Sequence, residues 1–356
     1  MLAFSLLALG CTPQTPDPSR LRVDPQPLAE GLREAVRADD PAAWQQWLDP
    51  QSGQAVDNTR LFDNLTMLQV SAIEPTGRQR SVAAGSATVE MTVTWTVPGW
   101  QGERTTPLWW LVTGAGSELL LLGPAPDDGA WTAPLWVRQP VVAATDGQVA
   151  VLAADDPGPW LAAAAEIPDT DGPMLITVAA NSDLFAQFTG RDQVAAVTLP
   201  TDDGLQIVVN PGQTRQLSAL GRGVLISHEA VHVATDSPHT GAPLWAEEGY
   251  AEFVAQLQWP QARTEMDRSL AQTLRTAEAS SLSGLPGDAD FSGAAAGAAY
   301  GRALLAWRVI GEPDAEQVYR RISQGEPGDT ALSAVGLTES ELADRVDTAA
   351  AELADD

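Results

Sequence analysis

The sequence predicts an α+β protein: an N-terminal antiparallel-sheet α+β domain over residues 28–139, then a mostly helical domain with a small sheet over residues 140–356. Three observations carry this reading. Helical periodicity over residues 28–50 gives way to alternating strand patterns between residues 87 and 137. From about residue 140 the chain turns alanine-rich, and helix and strand alternate up to Asn210. Beyond residue 218 the patterns are mostly helical. A chain of 356 residues has room for about two domains, and a hydrophobic share of 44% supports sizeable cores.

The elements follow in order. Met1 to Gly10 is a short apolar run that ends at Cys11, the only cysteine, so no internal disulfide framework exists. Leu7-Ala8-Leu9-Gly10-Cys11 resembles the lipobox of bacterial lipoproteins, which implies a lipid on Cys11 and an anchor to the outer face of the cytoplasmic membrane. Ala8 stands where a lipobox usually carries leucine, and no basic residue precedes the apolar run. The proline-rich segment Thr12 to Ser19 then reads as an extended tether, so residues 1–27 form signal and tether.

Leu28, Leu32, Ala35 and Val36 make one helical stripe, and Pro41 with Trp44, Trp47 and Leu48 starts another. Ala87 to Val97 alternates with the period of two of a half-buried strand. Leu108 to Val112, Glu118 to Leu122 and Trp131 to Val137 read as further strands, separated by Gly/Pro/Asp turns. This order resembles the small cone-shaped domains of the nuclear-transport-factor-2-like superfamily. Tryptophans 95, 100, 109, 110, 131 and 136 read as core and inter-sheet packing rather than as a pocket. In the second half, residues 147–166 read as alanine-rich helix, Met174 to Ala180 and Leu205 to Asn210 as strands, and Ala294 to Ile310 and residues 339–352 as helices.

The chemistry concentrates in residues 218–258. The run from Ser218 to His232 is apolar, of helical length and free of internal proline, so His228 and His232 share one helix. Positions i and i+4 lie one above the other on one face, so the two imidazoles can meet a single ion. Glu229 lies one step round the helix, where its carboxylate reaches a water on that ion but not the ion itself. The chain has three histidines, His228, His232 and His239, all in one short window, so the HExxH pattern is not a by-product of abundant histidine. A catalytic zinc takes a third protein ligand and leaves one position open. Glu248 is the best candidate: Pro243 opens a new helix, and Gly249 is expected to let it approach the histidine helix closely. His239, in the connecting loop, is expected to be exposed.

HEAVH followed by Pro243-Leu244-Trp245-Ala246-Glu247-Glu248-Gly249-Tyr250-Ala251-Glu252-Phe253 resembles the gluzincins, thermolysin-like zinc peptidases. The resemblance implies that the glutamate directly before the glycine, Glu248 and not Glu247, is the third ligand. It implies that Glu252 hydrogen-bonds the free nitrogen of the first histidine, fixing the ring. It places a substrate-binding edge strand near the zinc helix, a role for which Leu205 to Asn210 holds the matching place in the order of elements. It also implies a Tyr or His donor to the oxyanion from the helical part beyond. Of Tyr250, Tyr300 and Tyr319, Tyr300 is chosen, because it follows the small-residue run Gly293 to Ala299 that can press close to a cleft.

Composition narrows the partners. A net charge of −27 and a pI near 4.2 argue against nucleic acid and anionic lipid headgroups. The leading expectation is a Zn2+-dependent metallopeptidase that hydrolyses a peptide or protein substrate outside the cytoplasm, with Glu229 as general base. The alternative is a non-catalytic surface protein of peptidase-derived fold that keeps zinc for structure. An intact Glu229 and an open fourth position favour the enzyme, since structural zinc is closed by four protein ligands.

Overall fold

The computed structural model describes residues 23–83, 85–127, 131–167, 172–276 and 283–355. Cys11 and the rest of the lipobox lie outside them. The first half builds α1 (Gln26–Arg37), α2 (Pro41–Gln45), α3 (Ala55–Met67), β1 (Ala72–Ala83), β2 (Ser86–Trp95), β3 (Arg104–Ala115) and β4 (Glu118–Pro124). The stripe Leu28, Leu32, Ala35 and Val36 is buried, as its spacing requires. Asp40 caps α2 by accepting from the Ala42 and Ala43 amides, each at 3.0 Å. The four strands form one antiparallel meander in the order β1-β2-β3-β4, and the helices lie against its apolar face. The α+β class therefore holds, with β1 and α3 added to the elements the sequence pattern displays.

The second half begins with α4 (Leu135–Arg138), β5 (Val142–Thr145), β6 (Val149–Ala153), α5 (Gly158–Ala164), β7 (Met174–Val178), α6 (Ser182–Thr189), β8 (Ala196–Thr201), β9 (Gly204–Val209) and α7 (Pro211–Thr214). Two sequence expectations fail here. Trp131 to Val137 is not a strand: Pro134 breaks the chain, and residues 135–138 turn into a short helix. Nor is 147–166 one helical stretch, because Val149 to Ala153 is the strand β6. Val151 and Ala153 pack into one core, Ala150 and Leu152 into the other, so both faces are buried and no alternation marks the strand.

These strands form a mixed sheet in the order β5-β6-β7-β9-β8. One face shares the core of the first sheet through Ala150, Leu152 and Leu175. The junction is hydrogen-bonded as well as apolar: Asn64 donates to the Trp136 and Gln139 carbonyls at 2.6 and 2.8 Å, and Gln139 donates to the Val178 carbonyl at 2.8 Å. The other face receives α8 (Ala219–Ala234), whose Ile226 and Ala230 pack against Val149, Val151, Ile176 and Ile207. A last layer is helical: α9 (Leu244–Gln258), α10 (Arg263–Leu274), α11 (Ala296–Ile310), α12 (Glu312–Ser323), α13 (Gly328–Ser333) and α14 (Glu339–Asp355). Its core is built on Trp307, Tyr319, Leu342 and Val346. Among the described residues no helix is long and apolar enough to cross a membrane.

Candidate metal centre

Helix α8 starts where Ser218 Oγ accepts from the Gly221 amide at 3.1 Å, and it carries His228, Glu229 and His232 in its C-terminal half. Gly223 lets the ring of Trp259 lie across the helix, since a Cβ there would sit 2.4 Å from it. Trp259 then donates its indole N–H to Ser227 Oγ at 2.8 Å, tying the end of α9 to α8. Glu248 of α9 faces the histidine pair. Gly249, however, does not serve the α8–α9 contact. A Cβ there would lie 2.5 Å from the carbonyl oxygen of Ala303, so this glycine admits α11 instead. The reason is helical phase: a residue one step beyond Glu248 points about 100° away from it.

The three ligand candidates converge. His228 Nε2 and His232 Nε2 are 3.1 Å apart, and Glu248 Oε2 lies 3.3 Å from the first and 3.6 Å from the second. Four-coordinate zinc with bonds of about 2.05 Å places neighbouring donors about 3.3 Å apart, close to all three separations. The outer nitrogens are engaged as a metal site requires. His228 Nδ1 is 3.2 Å from Glu252 Oε2, and His232 Nδ1 is 2.8 Å from Ser237 Oγ. An ionised carboxylate only accepts, so the His228 proton sits on Nδ1 and, in the neutral ring, the Nε2 lone pair is left for a cation. Lone pairs of two imidazoles and a carboxylate aimed at one point repel unless a positive charge stands between them. The residues present fit zinc.

Without a metal the same groups share protons. Burial works against a charged His228, but Glu248 and Glu252 outweigh it and hold the imidazole well above its ordinary range. Burial likewise opposes an ionised Glu248, yet its bonds to both histidines hold it well below the usual carboxylate range.

Glu229 is buried beside this group and lines the same cleft, about 680 Å³ in volume. Its Oε2 lies 2.8 Å from the Thr198 hydroxyl on β8, which also lies 3.0 Å from the Glu229 carbonyl. Tyr300 lines the cleft too, with its ring edge-to-face on Phe291 at 5.0 Å. Burial and the negative charges of Glu248 and Glu229, partly offset by Arg191, push its phenol up to about 12. The other tyrosines are elsewhere: Tyr250 stacks on Tyr319 at 4.3 Å, and the Tyr319 hydroxyl is 3.3 Å from Thr235 Oγ1. Glu247 turns its carboxylate to the Thr240 hydroxyl at 2.8 Å, and burial raises its pKa. His239 is exposed, 2.7 Å from Asp236, and lies outside the cleft wall.

The strand bordering the cleft is β8, not the segment Leu205 to Asn210 expected for it. The turn at Asp202 and Asp203 sends the chain back, and β9 inserts between β7 and β8, leaving β8 as the edge. Thr198, Ser237 and Arg191 also contribute to the site without any motif to announce them. Each is brought in by tertiary packing from outside the HExxH helix. The chain matches no protein-family model, no curated protein and no solved structure, so its own geometry carries the reading of the site.

Proposed function

We propose that the protein is a zinc-dependent metallopeptidase of the gluzincin kind, hydrolysing peptide bonds outside the cytoplasm from a lipid anchor at Cys11. The observation that carries this is the convergence of His228, His232 and Glu248 beside an intact Glu229 in an open cleft. A bound zinc supplies Lewis acidity toward a scissile carbonyl and lowers the pKa of a water to about 7.

The chain's residues do the rest. Glu252 and Ser237 fix the two imidazole rings. Thr198 holds Glu229 by Oε2, which leaves Oε1 to take the proton of the attacking water and pass it to the leaving amine. Tyr300, whose phenol stays protonated far above neutral pH, donates to the oxyanion of the tetrahedral intermediate. The free edge of β8 offers backbone groups along which an extended peptide can lie.

The test is metal analysis of the purified protein beside a peptide-library cleavage assay, on wild type and three variants. Glu229→Gln should retain zinc and lose nearly all hydrolysis, because an amide cannot accept the proton. His228→Ala and Glu248→Ala should instead lose zinc. Zinc without any cleavage by wild type would favour the non-catalytic binding protein, and wild-type turnover in Glu229→Gln would refute the mechanism.

A further inference from the structure

A second cavity, about 440 Å³, opens where the two sheets meet. Its aromatic wall comprises Trp95, Trp131, Trp136 and Phe188, and its acidic rim is Asp202 and Asp203 at the β8–β9 turn. Leu199 and Pro200 of β8 border both this cavity and the metal cleft, so the two are neighbours along one edge strand.

The chemistry of the lining selects a cation. Trp95 and Trp136 are core residues, 1% and 4% exposed, that meet edge-to-face with ring centroids 5.9 Å apart and border the cavity from beneath the less buried Phe188. Indole faces carry negative potential and attract ammonium and guanidinium groups. Asp203 is held in place: the Thr201 hydroxyl donates to Oδ1 at 2.6 Å, and the Thr106 hydroxyl donates to Oδ2. Thr106 in turn accepts from the Trp95 indole N–H at 2.8 Å, so carboxylate and aromatic wall form one connected unit. Arg104 is committed to the Asp203 and Leu205 carbonyls and offsets part of the charge of Asp203. Asp202 is exposed, lines the cavity and forms no ion pair among the described residues, so its charge is available to an incoming group. The only charged groups among the described residues of the lining are the carboxylates of Asp202 and Asp203, which repel an anion, and a neutral apolar chain desolvates them without return.

We infer that this cavity binds the guanidinium or ammonium side chain of a peptide laid along β8. The peptide rests on the metallopeptidase reading, and the cation on the lining alone. Distance sets the position. Thr198, beside Glu229, and Thr201, at the cavity, are three residues apart on β8, about 10 Å at strand spacing. An extended substrate therefore presents its basic residue about three positions from the cleaved bond.

Zinc-loaded wild-type protein is given a random-sequence peptide library, and the cleavage products are sequenced. Arg and Lys should be enriched severalfold at one position two to four residues from the cut. In matched peptides, Asp202→Asn with Asp203→Asn should reduce the preference for Arg over norleucine about tenfold. Asp202→Asn alone, at an exposed site that the fold does not need, should reduce it about threefold. Cleavage with no basic preference, or a preference untouched by both variants, overturns the inference. A complete lack of cleavage marks failure of the peptidase reading instead. The cavity is then judged by tryptophan fluorescence of the full chain titrated with N-acetyl-arginine amide and N-acetyl-norleucine amide. A saturable response to the arginine compound alone, weakened in Asp202→Asn, supports the inference, and equal responses overturn it.

Discussion

Thr198→Val tests whether Glu229 must be held to act. Valine keeps the β-branched shape that suits a strand and fills nearly the same volume, so β8 and its pairing with β9 are preserved. What disappears is one hydroxyl, 2.8 Å from Glu229 Oε2, on a residue only 7% exposed. A buried hydrogen bond to a charged group contributes about 1.5–3 kcal/mol. If that energy holds the carboxylate in its working orientation, its loss lowers kcat/KM by about tenfold to 150-fold. Zinc content should stay at wild-type level, because Thr198 touches none of the ligands. Stability should fall by a comparable amount, about 1.5–3 kcal/mol, since the same hydroxyl links β8 to α8. Thr198→Ser restores the donor and should recover most of the activity. The assay is kcat/KM on one cleaved peptide, with metal analysis and a melting curve on each variant. A Thr198→Val enzyme within twofold of wild type, or one that loses zinc in step with activity, would refute the positioning role.

Three further outcomes are expected. Tyr300→Phe removes only a hydroxyl and should lower kcat by roughly tenfold to a thousandfold with zinc content and folding unchanged; an unaltered kcat would refute its role as oxyanion donor. In metal-free protein, the raised pKa of His228 adds stability that is complete below its ordinary value of 6.5 and is lost as pH rises through the folded value. The lowered pKa of Glu248 adds stability present above its ordinary 4.5 and lost as pH falls, so the pair stabilises most between those two values. The melting temperature of chelator-treated protein should thus fall from pH 6 to pH 9 while the increment given by zinc grows, and scanning with and without zinc checks both. Finally, wild-type protein should partition with membranes and Cys11→Ser should release it or leave it unprocessed; a wild-type protein wholly soluble in the cytoplasm would end the lipoprotein reading.

How much was legible in the sequence follows from how local each contact is. His228 and His232 are four residues apart on one helix, so spacing alone places them on one face, with Glu229 one step round from them. Glu248 needed a turn and a second helix, and the Pro243 to Phe253 segment supplied both signals. Thr198 was invisible because its approach to Glu229 depends on β8 being an edge. That in turn depends on β9 inserting beside β7, a pairing no local pattern encodes. Strand β6 carries no legible pattern for a related reason: with both faces buried it keeps neither the period of a helix nor that of a half-exposed strand. Helix α3 carries Asp57, Asn58, Thr59, Asp63 and Asn64 among its apolar residues, which blurs its stripe. Asn64 is nonetheless fully engaged, bonded to the backbone where the two halves of the chain join.

The metal ligands come from two helices seated on different cores. Helix α8 lies on the five-stranded sheet through Ile226 and Ala230, so the histidines are fixed by strands. Helix α9 belongs to the helical layer through Trp245, Ala246, Tyr250, Ala251 and Phe253, so Glu248 is fixed by α11 and the aromatic stack on Trp307. Besides the ligand cluster, links that cross between them include the indole of Trp259 on Ser227, Glu252 on His228, and Val231 of α8 in the helical core. A metal bridging these cores contributes its binding energy to holding them together, which a site drawn from one helix alone would not do. The cleft lies along the seam, with Arg191 and β8 on the sheet side and Glu247, Glu248 and Tyr300 on the helical side. The ligand set therefore depends on how the sheet and the helical layer are packed together, and Val231 of α8, buried in the helical core, is part of that packing.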